Sequence, residues 1–179
     1  MKIGEILKEL IEENRIKLLL EIIDNLILPN EYTKTIKGNE IKFTFKDGDL
    51  VYYVAFLKIK DIGKIMIPDT ELYELIKNLD NKYYLDFGVV IDGQNVNDIK
   101  TNKNNSITIF KYVFAIIEEF IKENEVNVLT YYTYDLSRDR IYDFFINKFL
   151  KEKFFYYSKD KKPTTNKFLI NKKYEQEKI

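Results

Sequence analysis

The chain has 179 residues with 29 basic and 29 acidic side chains, so its formal net charge is zero, and 45% of it is apolar. That apolar content supports a sizeable core and excludes global disorder. The absence of both Cys and His excludes disulfides, zinc sites built on those ligands, haem held by His, thiolate nucleophiles and every triad with an imidazole base. Carboxylates, Tyr, Lys, Arg, hydroxyls and backbone are left to do any chemistry.

Apolar residues recur at three and four over residues 2–28, as Ile3, Ile6, Leu7, Leu10 and Ile11 and again as Leu18, Leu19, Ile22, Ile23, Leu26 and Ile27. This spacing predicts an amphipathic helix, broken or bent near Asn14-Arg15 and stopped by Pro29. Such a stripe packs on its own domain or on a partner helix. The period then falls to two. Tyr32 to Lys37, Glu40 to Lys46 and Leu50 to Lys60 read as three strands joined at Gly38-Asn39 and Asp47-Gly48, because Asp-Gly supplies the positive φ that a tight hairpin requires. The expectation is an antiparallel meander.

A short helix follows over 70–80, then a nearly all-apolar strand from Lys82 to Ile91 in which Asp86 is out of place. Strands of that composition are covered on both sides. Residues 92–106 read as a long polar loop, which in a small domain is either functional or mobile. A helix over 107–123, a strand from Val126 to Tyr132 and a second helix over 138–151 complete a βαβ pattern, for which parallel strands are the default. Strands at 153–158 and 166–171 form a closing hairpin. No internal repeat or linker divides the chain. The expected organisation is a helical arm over 1–29, one α/β domain over 30–172 and a flexible tail over 173–179.

The element order of a meander followed by strand, helix, strand, helix, strand is similar to that of the GNAT acetyltransferases. The stretch from Tyr83 to Tyr157 also resembles uncharacterised bacteriophage proteins with a GNAT-like fold. The likeness rests on Phe87-Gly88-Val89, the polar loop, the helix from Ile109 to Ile121, and Ser137-Arg138-Asp139-Arg140-Ile141-Tyr142 at the second helix. It implies a GNAT-like mixed sheet and a phage origin, with location in a virion or a host cytoplasm. GNAT enzymes hold the cofactor pyrophosphate on a Gly-rich turn before the long helix. The matching residues here, Asn104, Asn105 and Ser106, include no glycine, so close backbone approach to a phosphate is harder.

The resemblance places Tyr142 where GNAT enzymes often carry a tyrosine general acid, with Glu118 or Asp86 as base. Arg138 and Arg140, two of only three arginines, suit bidentate capture of an anion or an internal ion pair with Asp86 or Asp135. Magnesium on Asp86, Asp92 and Asp135 lacks support in spacing, and no metal is expected. Base stacking on the Tyr131-Tyr132 and Phe154 to Tyr157 clusters is outweighed by a core role. Nine lysines against four acids over 151–179 do not by themselves make a nucleic-acid surface, and no apolar run reaches membrane-spanning length. The leading expectation is a non-catalytic, virion-associated interaction module with no cofactor. Its partners would be another phage or host protein, met through the N-terminal helix, or a second copy of the chain. The alternative is an N-acyltransferase using acetyl-CoA with a degenerate turn.

Overall fold

The computed structural model describes residues 27–61, 67, 70–96, 106–133, 136–157 and 166–178. All but the last few residues of the expected arm, together with Asn104, Asn105 and Asp135, lie outside the described residues. Eight described strands form one mixed, mostly antiparallel sheet in the order β1-β2-β3-β4-β6-β8-β7, with β5 paired to β4 off that path. The chain is α/β.

Strands β1 (Tyr32–Lys37), β2 (Glu40–Asp47) and β3 (Leu50–Lys58) make the expected meander. Gly38 and Gly48 take φ of 61° and 59° in its two turns, the left-handed conformation that glycine enters without a Cβ penalty. Helix α1 (Thr70–Ile76) leads to β4 (Lys82–Ile91), which pairs antiparallel with β3. The turn between them places Asn81 at φ 50°, which Asn tolerates. Lys82 is 8% exposed, and its Nζ donates to the carbonyls of Leu79 and Lys77 just past the C-terminal end of α1. The dipole and the orphan carbonyls of a helix end favour a cation there.

The supposed loop after β4 is a strand for three residues. Gln94, Asn95 and Val96 form β5, which folds back through Asp92-Gly93 onto Ile91, Val90 and Val89. Both turn residues have positive φ, the signature of a tight hairpin. The signal Asp-Gly was present in the sequence, but the partner segment is too short and polar to show a period of two.

Helix α2 (Ser106–Glu123) precedes β6 (Val128–Tyr132), which runs parallel to β4 over Lys82–Leu85. Helix α3 (Leu136–Phe145) continues as a π-helical segment, Ile146–Leu150. Strands β7 (Phe154–Tyr157) and β8 (Asn166–Asn171) form the expected hairpin, with β8 inserted between β6 and β7. Where the sequence reads as a flexible tail over 173–179, the chain forms a 3-10 helix, Lys172–Lys178, whose Tyr174 packs on the second core.

The larger core lies on the first face of the sheet, under α2 and α3. Phe56 and Phe120 stack there with ring centroids 3.6 Å apart, and Phe114 stacks on Phe145 at 4.0 Å. The hydrophobic stripe of α2 is wide enough to meet both the sheet and α3, so Phe114, Ile116, Ile117 and Phe120 are all buried. A smaller core on the second face joins Leu72 and Ile76 of α1 to Val128, Phe155, Phe168 and Ile170. Among the described residues it lies on the β6, β8 and β7 side of that face.

Candidate functional site

The residues put forward from the sequence divide between the two faces of the sheet. Tyr142 sits on α3 against the first face. It is 7% exposed, stacked on Tyr131 at 4.8 Å and edge-on to Phe114 at 6.1 Å. Beside it lies a void of about 10 Å³ among Leu85, Ile117, Leu129, Tyr131 and Phe145, room for at most one water and not for an acyl group.

Asp86 faces the other way. Its register partner Ala55 alternates with the core residues Val54 and Phe56, which puts Asp86 on the second face. There the Tyr53 hydroxyl donates to its Oδ2 at 2.9 Å, and the Phe87 N–H donates to Oδ1 at 3.0 Å. Lys42 lies 5.1 Å above the Tyr53 ring and donates to Asn95 Oδ1 at 2.6 Å. Two hydrogen bonds to the carboxylate explain how an acid is tolerated inside an otherwise apolar strand. The sheet separates Asp86 from Tyr142.

Glu118 is on the outer side of α2 and pairs with Lys122 at 3.0 Å, one helical turn on. Arg140 is exposed on α3, across the sheet from Asp86, so the suggested ion pair between these two does not form. The side chains of Arg138 and Ser106 lie outside the described residues. No cluster of three acidic groups of metal-binding size occurs among the described residues.

The ion pair that sequence reasoning missed is next to Arg138 and Arg140. Asp139, in the first turn of α3, accepts from the Thr133 hydroxyl at 3.1 Å and faces Lys167 Nζ at 3.4 Å. Both are buried, Lys167 to 3% exposure and Asp139 to 8%. The pair joins α3 to β8 and, through Thr133, to the end of β6. A helix N-terminus favours the carboxylate, and the available signal was a lone lysine opening the apolar run of Asn166-Lys167-Phe168-Leu169-Ile170.

Burial sets the other perturbed groups. It raises the phenols of Tyr52 and Tyr83 above their ordinary value, with Asp47 adding to the effect on Tyr52. It also lowers the Lys82 ammonium, against an opposing pull from Asp80.

Two open clefts occur among the described residues, one of about 730 Å³ beside Tyr32, Phe45 and Tyr112 and one of about 480 Å³ beside Leu57, Ile59 and Tyr84. Neither is lined by a residue that the sequence put forward for catalysis or binding. Beyond Leu85, where β4 leaves β6, the same edge is paired by β5 at Val89, Val90 and Ile91, and the ladders include no partner for Asp86, Phe87 and Gly88 there. No helix among the described residues is long and apolar enough to cross a membrane. No protein-family model, curated protein or solved structure matches the chain.

Proposed function

We propose that this protein is a non-catalytic structural or interaction module built on a GNAT-like sheet, used by a phage and associated with the virion. The observation that carries the non-catalytic reading is the separation of the candidate groups. Tyr142 is stacked in the first-face core, Asp86 is hydrogen-bonded on the opposite face, and Glu118 is paired on the outer side of α2. General acid–base chemistry needs acid and base within reach of one substrate atom, and these three do not share a site. The phage and virion terms rest on the sequence resemblance alone.

Calorimetric titration of the full chain with acetyl-CoA tests this, with Arg138→Ala as the control. The expected result is no heat and no thermal shift at millimolar ligand. Binding tighter than about 100 μM, roughly −5.5 kcal/mol, that Arg138→Ala weakens would overturn it in favour of an acyl-CoA-dependent N-acyltransferase.

A further inference from the structure

All six residues of the outermost strand β1, Tyr32–Lys37, are exposed, Ile36 to 69%. Among the described residues no strand pairs with its outer edge. Folded proteins usually blunt such an edge with a proline, a bulge, a covering element or a lysine held out along it. The register of β1 to β2 runs one to one without a bulge, and β1 contains no proline. Its central lysine is drawn inward instead. Lys34 Nζ lies 2.7 Å from Glu123 Oε2 on α2 and 5.3 Å from the centroid of the Phe43 ring.

The two hairpins decide which backbone groups point outward. Residues that flank a two-residue turn exchange both hydrogen bonds, and the sense alternates along the strand. Lys37 and Glu40 flank Gly38-Asn39, so Lys37, Thr35 and Thr33 turn their N–H and C=O groups to β2. The next turn, flanked by Asp47 and Leu50, gives the same phase, because it leaves Glu40, Lys42 and Thr44 to bond β1. Tyr32, Lys34 and Ile36 therefore present their backbone groups at the outer edge.

We propose that this edge pairs antiparallel with β1 of a second copy, about a two-fold axis at Lys34, so that the two sheets become continuous. The side chains of β1 select that register. With Lys34 opposite its own counterpart, Tyr32 meets Ile36, Thr33 meets Thr35 and Glu31 meets Lys37 of the other copy. An aromatic with a β-branched residue, Thr with Thr and acid with base are all favourable cross-strand pairs. The two lysines at the axis are each held by their own Glu123, so the charges there alternate in sign. Moving the axis by one residue either way loses both the Tyr32–Ile36 and the Glu31–Lys37 pairs. A formal net charge of zero sets no overall repulsion between copies. An unrelated strand would have to bring this order of side chains, whereas β1 already carries it.

Sedimentation velocity of the full chain, from about 1 μM to about 1 mM, should show a monomer–dimer equilibrium. Glu31→Lys sets two bases against each other at both ends of the paired strands, and Lys37→Glu sets two acids there. Each variant alone should dimerise at least about tenfold more weakly. An equimolar mixture of the two should recover the parental association, because every like-charged pair is then replaced by opposites. Ile36→Pro removes only an outward N–H, which an edge strand tolerates, and should abolish dimerisation while the far-UV circular dichroism is kept. A parent that stays monomeric throughout overturns the proposal. So does a dimer that survives both charge reversals and Ile36→Pro, or a mixture that associates no better than its components. Should Ile36→Pro not fold, the mixture of charge-reversed chains decides alone. These readouts do not depend on whether acetyl-CoA binds.

Discussion

Removing one member of the buried Lys167–Asp139 pair should destabilise the fold far more than removing both. Lys167→Met leaves the Asp139 carboxylate, 8% exposed, with the Thr133 hydroxyl as its remaining described polar contact. Asp139→Leu takes away the carboxylate 3.4 Å from an ammonium that is 3% exposed. Breaking a buried pair from one side typically costs about 3–5 kcal/mol, whereas replacing both partners with apolar residues is often neutral or stabilising. For a chain of this size each kcal/mol moves Tm by roughly 2–4 °C. Each single variant should therefore melt about 6–20 °C below the parent, and Lys167→Met/Asp139→Leu should melt within a few degrees of it. Urea unfolding followed by circular dichroism supplies the free energies for a double-mutant cycle. Single-variant costs below about 1 kcal/mol would place the pair in the regime of exposed ion pairs and refute the argument from burial. A double variant as unstable as the sum of the singles would refute the coupling.

Gly48→Ala should destabilise the β2–β3 hairpin by about 1 kcal/mol through φ alone, since no atom lies within 4 Å of the added Cβ; Gly48→Asn should recover part of that loss in the same urea titration. At alkaline pH the buried tyrosines set the sign. Tyr52 and Tyr83 are raised above 10.0 by burial, so above pH 10 the unfolded chain releases protons that the fold retains, and stability falls as pH rises through the raised values. Lys82, lowered from 10.5, acts in the opposite sense, adding stability as pH climbs from its folded value to its unfolded one. Absorbance at the tyrosinate band should show some of the 14 tyrosines ionising only as the circular dichroism is lost, and Tyr83→Phe should move that transition to higher pH. A single titrating class with native circular dichroism throughout would contradict it.

The fold was legible where periodicity was strong. The meander, the βαβ segment and the closing hairpin were all readable from alternation, from helical spacing and from Asp-Gly or Gly-Asn turns. What escaped was set by pairing across long separations. Gln94-Asn95-Val96 has no strand signature of its own and becomes a strand because Val89 to Ile91 present an edge. The insertion of β8 between β6 and β7 leaves no local trace either. The candidate site was legible only in part. Asp86 was rightly marked as out of place, but its face depends on register, and only the register to Ala55 shows that it is on the opposite side from Tyr142. The arginines beside Asp139 drew the eye, while the residue between them took the buried partner. Tertiary burial, which decides which charge is paired, is not written in any window of neighbouring residues.

The place of β8 in the sheet also bears on how the protein is made. On the ribosome the N-terminal side of a domain is free to organise first, and here β1 to β4 are contiguous in both sequence and space. Strand β6, by contrast, keeps one bare edge until Asn166–Asn171 have been synthesised, because β8 and not β7 is its neighbour. A chain interrupted anywhere between Tyr132 and Asn166 thus carries an incomplete sheet with an open parallel pair at its rim, the kind of edge that recruits other strands. Stalled or clipped translation products should be found aggregated or degraded rather than as small soluble domains, and completion of the sheet serves as a check on completion of the chain through β8.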